Sequence, residues 1–272
     1  MHGRLPRYRH PRAVPVDVRG RTSPTLRIGC AGWSLPAAEA TLAFGEGGHL
    51  ERYARIFDVV EINSSFYRPH QAQTYARWAQ SVPATFRFAV KMPKAISHEK
   101  RLRDCRADLD AFLAQATQLG STLGVLLLQL PPSLSFERRT ALRFFDALRA
   151  RHAGPVACEP RHPSWFGAAV DADLRERGIS RAAADPARVP RAAVPGGDHA
   201  CEYLRLHGSP RMYYDAYTDD ALARFVRRMA RPSACVRERW CIFDNTTLGH
   251  ALTDALTLRA MLRRHEKTAG VA

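Results

Sequence analysis

Eight short apolar runs recur along the chain, each giving way to polar residues at its carboxyl end. They are LRIGCAGWS (26–34), FDVVEINSSFYRPH (57–70), FRFAVKMPKAISHEKRL (86–102), LGVLLLQLPPS (123–133), VACEPRHPSWF (156–166), GISRAAADPAR (178–188), EYLRLHGS (202–209) and RWCIFDNTTLGH (239–250). Successive side chains on a strand face opposite ways, so each run separates into two faces. Val59, Glu61 and Asn63 share one face of the second run, Ala157, Glu159 and Arg161 one face of the fifth, and Tyr203, Arg205 and His207 one face of the seventh. The fourth run is apolar on both faces until Gln129, the mark of a strand buried on both sides of a parallel sheet. Between the runs, apolar residues recur at helical spacing over about 71–80, 106–119, 137–150, 218–231 and 248–264. Alternating β and α over this length predicts an α/β fold, a single TIM-type (β/α)8 barrel over residues 25–272. A doubly wound open sheet accounts less well for so many strands ending in polar residues.

The segment before the first run is different. Residues 1–24 are rich in arginine and proline with no periodicity, which predicts a disordered basic arm. It has no apolar core, so no secretory signal is expected, and no apolar run is long enough for a membrane helix; a cytoplasmic protein without membrane contact is the expectation. The six cysteines are scattered with no CxxC pair, which predicts reduced thiols and neither a zinc knuckle nor a redox motif.

Net charge changes the picture only a little. The formal charge is +15 and the pI about 10.2, which makes a nucleic-acid partner possible. Only Lys91, Lys94, Lys100 and Lys267 are lysines, and an arginine excess of this kind also follows from GC-rich coding. Arg224, Arg227, Arg228 and Arg231 form a stripe on the helix predicted over 218–231, which reads first as a solvated face.

In a barrel the carboxyl ends of the strands converge. Glu61, Asn63, Lys91, Gln129, Glu159, Arg161, Asp185, His207 and Asp244 or Asn245 would then meet in one bowl, with Trp33, Tyr67, His98, Trp165 and Tyr217 reaching in from loops. Glu61, Lys91, Glu159 and His207 are the candidate catalytic groups. The two glutamates could act as acid and base, Lys91 could form a Schiff base or neutralise an anion, and His207 could shuttle a proton. Trp33, Asn63, Tyr67, His98, Gln129, Arg161, Trp165, Tyr217 and Asn245 are the candidate substrate-binding groups. Each also has a structural reading: Glu61 paired to Lys91, Glu159 paired to Arg161, His207 as a hydrogen-bonded core residue. No cofactor is expected. A divalent metal is possible through Glu61, Glu159, Asp185 and His207, although no HxH, HExxH or DxD spacing singles them out.

The motifs IGCAGWS, VEINSSFYRP, FRFAVKMPKAISH, LLLQLPPSLSF, CEPRHPSW, YLRLHG and IFDNTTLGHA, in this order, resemble the YecE-like family, domain of unknown function 72, over roughly residues 26–262. The resemblance implies a TIM-type barrel with Glu61, Asn63, Tyr67, Lys91, His98, Gln129, Glu159, Arg161, Trp165, His207 and Asn245 as site residues; it implies no reaction. Asp244 beside Asn245 is a mild departure from the pattern. Three functions follow as expectations: an acid–base enzyme for a small polar, anionic or sugar-like substrate; a nucleic-acid-directed protein or metal-assisted hydrolase; or a non-catalytic ligand-binding barrel. The first carries an expectation for Glu159→Gln: turnover lost, melting temperature nearly unchanged.

Overall fold

The structure, a computed structural model, describes residues 23–34 and 46–269. All but the last two residues of the predicted basic arm lie outside the described residues. The order is β1 (Thr25–Cys30), α1 (His49–Ala54), β2 (Val59–Ile62), α2 (Ala72–Gln80), β3 (Arg87–Lys91), α3 (Arg106–Ala116), β4 (Leu123–Gln129), α4 (Arg138–Arg149), β5 (Val156–Glu159), α5 (Ala168–Glu176), β6 (Ile179–Arg181), β7 (Ala183–Asp185), β8 (Gly196–Gly197), β9 (Cys201–Leu206), α6 (Asp219–Met229), β10 (Glu238–Phe243) and α7 (His250–Ala269). The fold is α/β. The backbone ladders make two sheets, ordered β1-β10-β9-β7 and β2-β3-β4-β5-β6-β8, parallel throughout except where β8 runs against β6.

The helices follow from local chemistry. Thr218 caps α6 by accepting from the Ala221 amide, Asp219 and Asp220 sit in its first turn, and Leu222, Phe225, Val226 and Met229 form its buried stripe. Glu137 caps α4 in the same way through the Thr140 amide. Two helices, α1 with 6 residues and α5 with 9, were not predicted from the sequence.

The side-chain parity of the strands divides the core in two. Outward-facing residues such as Val60, Phe88, Leu126, Cys158 and Phe243 pack with the helices. A smaller cluster holds Ala31, Val59, Ala89, Val125, Leu127, Ala157, Ala182, Cys201, Tyr203, Trp240 and Ile242, every one from a strand or beside one. It draws on both sheets. Trp240 and Tyr203 stack inside it, centroids 5.8 Å apart, and a Cβ on Gly124 would lie 2.4 Å from the Trp240 ring, so glycine is what admits the indole.

Two seams separate the sheets. At the first, the Tyr53 hydroxyl from α1 stands between β1 and β2, accepting from the Cys30 amide at 2.8 Å and donating to the Val59 carbonyl at 2.9 Å. A single parallel bridge, Ala31 to Glu61, lies just beyond. At the second, the predicted sixth strand breaks at Ala182. Its first half, β6, pairs with β5 and its second half, β7, with β9. The sheets therefore do not form one continuous ladder, where a single closed barrel was expected.

Candidate functional site

The inward faces of β2, β3, β5, β9 and β10 end in ionisable residues, Glu61, Lys91, Glu159, Arg205 with His207, and Asp244. Arg205 on β9 is their hub, and its guanidinium holds three carboxylates. Nε and Nη2 donate to Glu61 at 3.0 and 2.7 Å, Nη1 donates to Glu159 at 2.7 Å, and Nη2 also donates to Asp244 at 2.8 Å. Tyr203 adds a fifth donor bond, its hydroxyl to Glu61 at 2.9 Å. Arg161, one turn of chain past β5, pairs with Glu159 at 2.6 Å. His207 lies between two acids, Nδ1 at 3.0 Å from Asp244 and Nε2 at 3.1 Å from Glu159. Arg161 Nη2, which can only donate, also lies 2.9 Å from Nε2. All seven side chains are buried.

Burial alone would raise the Glu159 carboxyl, but the Arg161 and Arg205 charges outweigh it and hold it well below the usual carboxylate range. Burial likewise opposes ionisation of Asp244, and Arg205 with His207 reverses the effect. The reciprocal pull of Glu61, Asp244 and Glu159 overcomes the burial penalty on Arg205 and raises it. A carboxylate so strongly held as an anion is a poor store for a catalytic proton, which weighs against Glu159 as the acid.

Lys91, at the end of β3, stands apart. Its ammonium lies 4.2 Å from the centre of the Phe66 ring and, among the described residues, makes no ion pair or hydrogen bond. Burial, together with the Arg205 charge, pulls it down to about 8. The expected Glu61–Lys91 pair is absent because Arg205 and Tyr203 already occupy Glu61. His98 meets the edge of the same Phe66 ring at 4.9 Å, and burial followed by the Lys91 charge lowers its imidazole. Its Nδ1 bonds the Ser97 hydroxyl at 2.8 Å.

The remaining predicted residues divide. Asn63 and Gln129 are half-buried at their strand ends, and Tyr67 is 69% exposed. Trp33 packs edge-on against Trp78 at 5.1 Å. Trp165 is buried. Its indole is in the core, donating to the Leu134 carbonyl at 2.9 Å with Phe136 against its face. Tyr217 is buried too, its hydroxyl donating to Asp185 and accepting from the Gly208 amide. Asn245 turns away from Arg205 and donates to the Asp215 carbonyl and to Asp254 on α7. The aromatic ring that does reach the cluster is Tyr213, 5.4 Å from His207, on a residue with φ of 72°. Such a backbone is costly for an aromatic residue. Arg205 was not among the predicted site residues, although Tyr203, Arg205 and His207 share one face of their run, and of the two alternatives Asp244 and Asn245 it is Asp244 that joins the cluster.

Three buried polar atoms are without a hydrogen-bond partner among the described residues at this end of the sheets: Asn63 Oδ1, Arg161 Nε and Asn245 Oδ1. The metal expectation does not fit the donor set. Glu61 and Glu159 direct their oxygens at Arg205, Asp185 accepts from Tyr217, and no group of three or more His, Cys, Asp or Glu among the described residues could hold a metal ion. A cavity of about 590 Å³ lies at the other, amino-terminal end of the strands. Of its arginines, Arg27 pairs with Asp58 and Glu238 and Arg149 donates to four backbone carbonyls. The arginine stripe on α6 is also incomplete, because Arg228 is half-buried and donates to the Ala193 carbonyl. Among the described residues no helix is long and apolar enough to cross a membrane.

Comparison with known proteins agrees with this arrangement of motifs. The UPF0759 protein YecE of Escherichia coli (strain K12) is 34% identical over 183 residues, covering 65% of this chain and 66% of that protein. UPF0759 protein YunF of Bacillus subtilis (strain 168) is 26% identical over 147 residues, 52% of each chain. The chain thus matches between about half and just under two thirds of the length of these relatives. Among solved structures, a DUF72 family protein from Thermotoga maritima MSB8 superimposes with a TM-score of 0.73 at 24% identity, covering 88% of this chain and 99% of that one. One from Enterococcus faecalis V583 gives 0.73 at 21% identity, covering 88% and 96%. The family profile described as "Protein of unknown function DUF72" matches residues 27–272, and this chain, with its Arg205-centred cluster at the strand ends, belongs to that family.

Proposed function

We propose that this protein is an enzyme that moves protons on a small, polar, anionic substrate held at the carboxyl ends of its strands, and that its two sheets are the two arcs of one (β/α)8 barrel. The barrel reading is supported by the chain itself. Residues 179–185 serve one sheet with their first half and the other with their second. The Ala31–Glu61 bridge and the Tyr53 hydroxyl join the opposite seam. The strand-only cluster drawn from both sheets is the layered interior such a barrel requires.

The observation that carries the substrate reading is the pair of orphaned atoms at the same end of the strands as an unpaired lysine. Buried polar atoms are normally satisfied. Arg161 Nε is a charged donor suited to a carboxylate or phosphate oxygen, and Asn63 Oδ1 is an acceptor suited to a hydroxyl or amide proton. Lys91, drawn down to about 8, and His98, lowered by burial and the Lys91 charge, share the Phe66 ring and are the groups that would exchange protons with the substrate. Glu61, Glu159 and Asp244, with Arg205, Tyr203 and His207, form the fixed electrostatic floor beneath them.

Thermal denaturation of the full chain with a panel of carboxylated and phosphorylated metabolites tests this. A rise of several degrees with at least one anion is expected. Arg161→Lys keeps the charge beside Glu159 but removes the Nε donor, and Asn63→Ala removes the acceptor. Each should abolish most of the rise. No shift across the panel, or shifts that persist in both variants, would refute the reading.

A further inference from the structure

We propose that Lys91 is a carbonyl-binding amine, whose Nζ condenses with a small aldehyde, ketone or 2-oxo acid to form an imine at the carboxyl end of β3. This rests on the reading of that end of the strands as a small-molecule site, and it names the substrate class.

The geometry isolates the amine. Lys91 is 5% exposed, yet no carboxylate pairs with it among the described residues. The three acids nearby are held by Arg205, so a nucleophilic nitrogen is not tied up in an ion pair. The Phe66 ring at 4.2 Å supplies an apolar wall on one side. Desolvation of this kind is one way proteins make a lysine nucleophilic. With its ammonium drawn down to about 8, a useful fraction is free amine at neutral pH. The acids that surround it at longer range, Glu61, Asp244 and Glu159, favour the charged form and would favour a protonated imine equally.

The step balances without another reagent. The lone pair of Nζ forms a bond to the carbonyl carbon while the C=O π pair moves to oxygen. Oxygen takes up one proton and nitrogen gives one up, leaving a carbinolamine. The hydroxyl then leaves as water with a second proton delivered to it, the nitrogen lone pair closes the C=N bond to give the protonated imine, and loss of the N–H proton, which replaces the one delivered, gives the imine. Amine and carbonyl thus become imine and water. His98, against the same Phe66 ring, would relay these protons, while Arg161 Nε and Asn63 Oδ1 would hold the anionic and hydroxyl groups of the same substrate.

The chain offers a clean test because it has only four lysines, and Lys94, Lys100 and Lys267 are exposed. The full-length protein is incubated separately with pyruvate, glycolaldehyde and dihydroxyacetone phosphate, each with sodium cyanoborohydride, which adds hydride to the imine carbon and fixes it as a secondary amine. Peptide mapping then locates the adduct. With at least one probe, labelling at Lys91 is expected to exceed that at each other lysine by at least tenfold, and to increase as pH rises from 6 to 8. Labelling spread over Lys94, Lys100 and Lys267 without preference for Lys91, or absent from Lys91 with all three probes, would overturn the inference. If Lys91 is unreactive while anions still raise the melting temperature through Arg161 and Asn63, the carbonyl inference fails and the proposed function stands. If neither is seen, both fail.

Discussion

Arg205 shows how a single residue can set the character of a site. One guanidinium accepts the charge of Glu61, Glu159 and Asp244 at once, and it does so in a region closed to water. A fork of five fixed donors can do this, whereas a lysine could not. The consequence for Glu159 differs from the reading of the sequence, in which Glu159→Gln would leave the melting temperature nearly unchanged. Its two oxygens accept from Arg161 and Arg205, so an amide would turn an N–H₂ toward a guanidinium and strip a buried cation of its partner. Glu159→Gln is therefore expected to cost about 3–5 kcal/mol, the range for breaking a buried pair. Urea denaturation measures it, and a loss below about 1 kcal/mol would show that the cluster relaxes around the change. Tyr203, Arg205 and His207 were legible as one face. That Arg205 would be the hub was not, because an arginine on a strand carries no mark of which acids, distant in sequence by 144 and 46 residues, it will meet.

At the scale of elements, the strand runs and their polar ends were legible because burial on both faces leaves a continuous apolar signature. The five helices with a clear stripe were legible for the same reason. The seams were not. Tyr53 sits in a six-residue helix, and nothing about that segment announces that its hydroxyl will replace ladder bonds between β1 and β2. Gly29 explains why it can. A Cβ there would lie 2.2 Å from the Val59 carbonyl and 2.8 Å from the Tyr53 oxygen. Tyr53→Phe leaves the Cys30 amide buried with no acceptor, and a loss of about 1–3 kcal/mol is expected. Hydrogen exchange should show faster opening at the amides of Cys30 and its neighbours while those of β4 stay protected. Uniform behaviour across both strands would count against the hydroxyl as the fastener of this seam.

For the whole molecule, the charge of +15 describes the surface more than the site. The cluster within holds acids of the opposite sign, and these govern the response to pH. Glu159 and Asp244 titrate lower in the folded protein than in an unfolded chain, where carboxylates titrate near 4. Their contribution is complete above about pH 5 and is lost as pH falls through the folded values, because the unfolded chain then binds more protons. Urea midpoints measured from pH 7 to pH 3 should be level down to about pH 5 and then decline steeply. A flat profile to pH 3 would show that these acids contribute little to folding.

By itself the sequence determined the alternation of strand and helix, the end of the strands at which polar groups gather, and the family. Those depend on period and order, which are properties of neighbours along the chain. Only the tertiary structure decided that Trp165 and Tyr217 belong to the core, that Arg205 and Asp244 belong to the cluster, and that Lys91 stands unpaired beside Phe66. Each of those depends on which side chain reaches a given space first, and a charge finds its partner by proximity in the fold, whatever its distance in sequence.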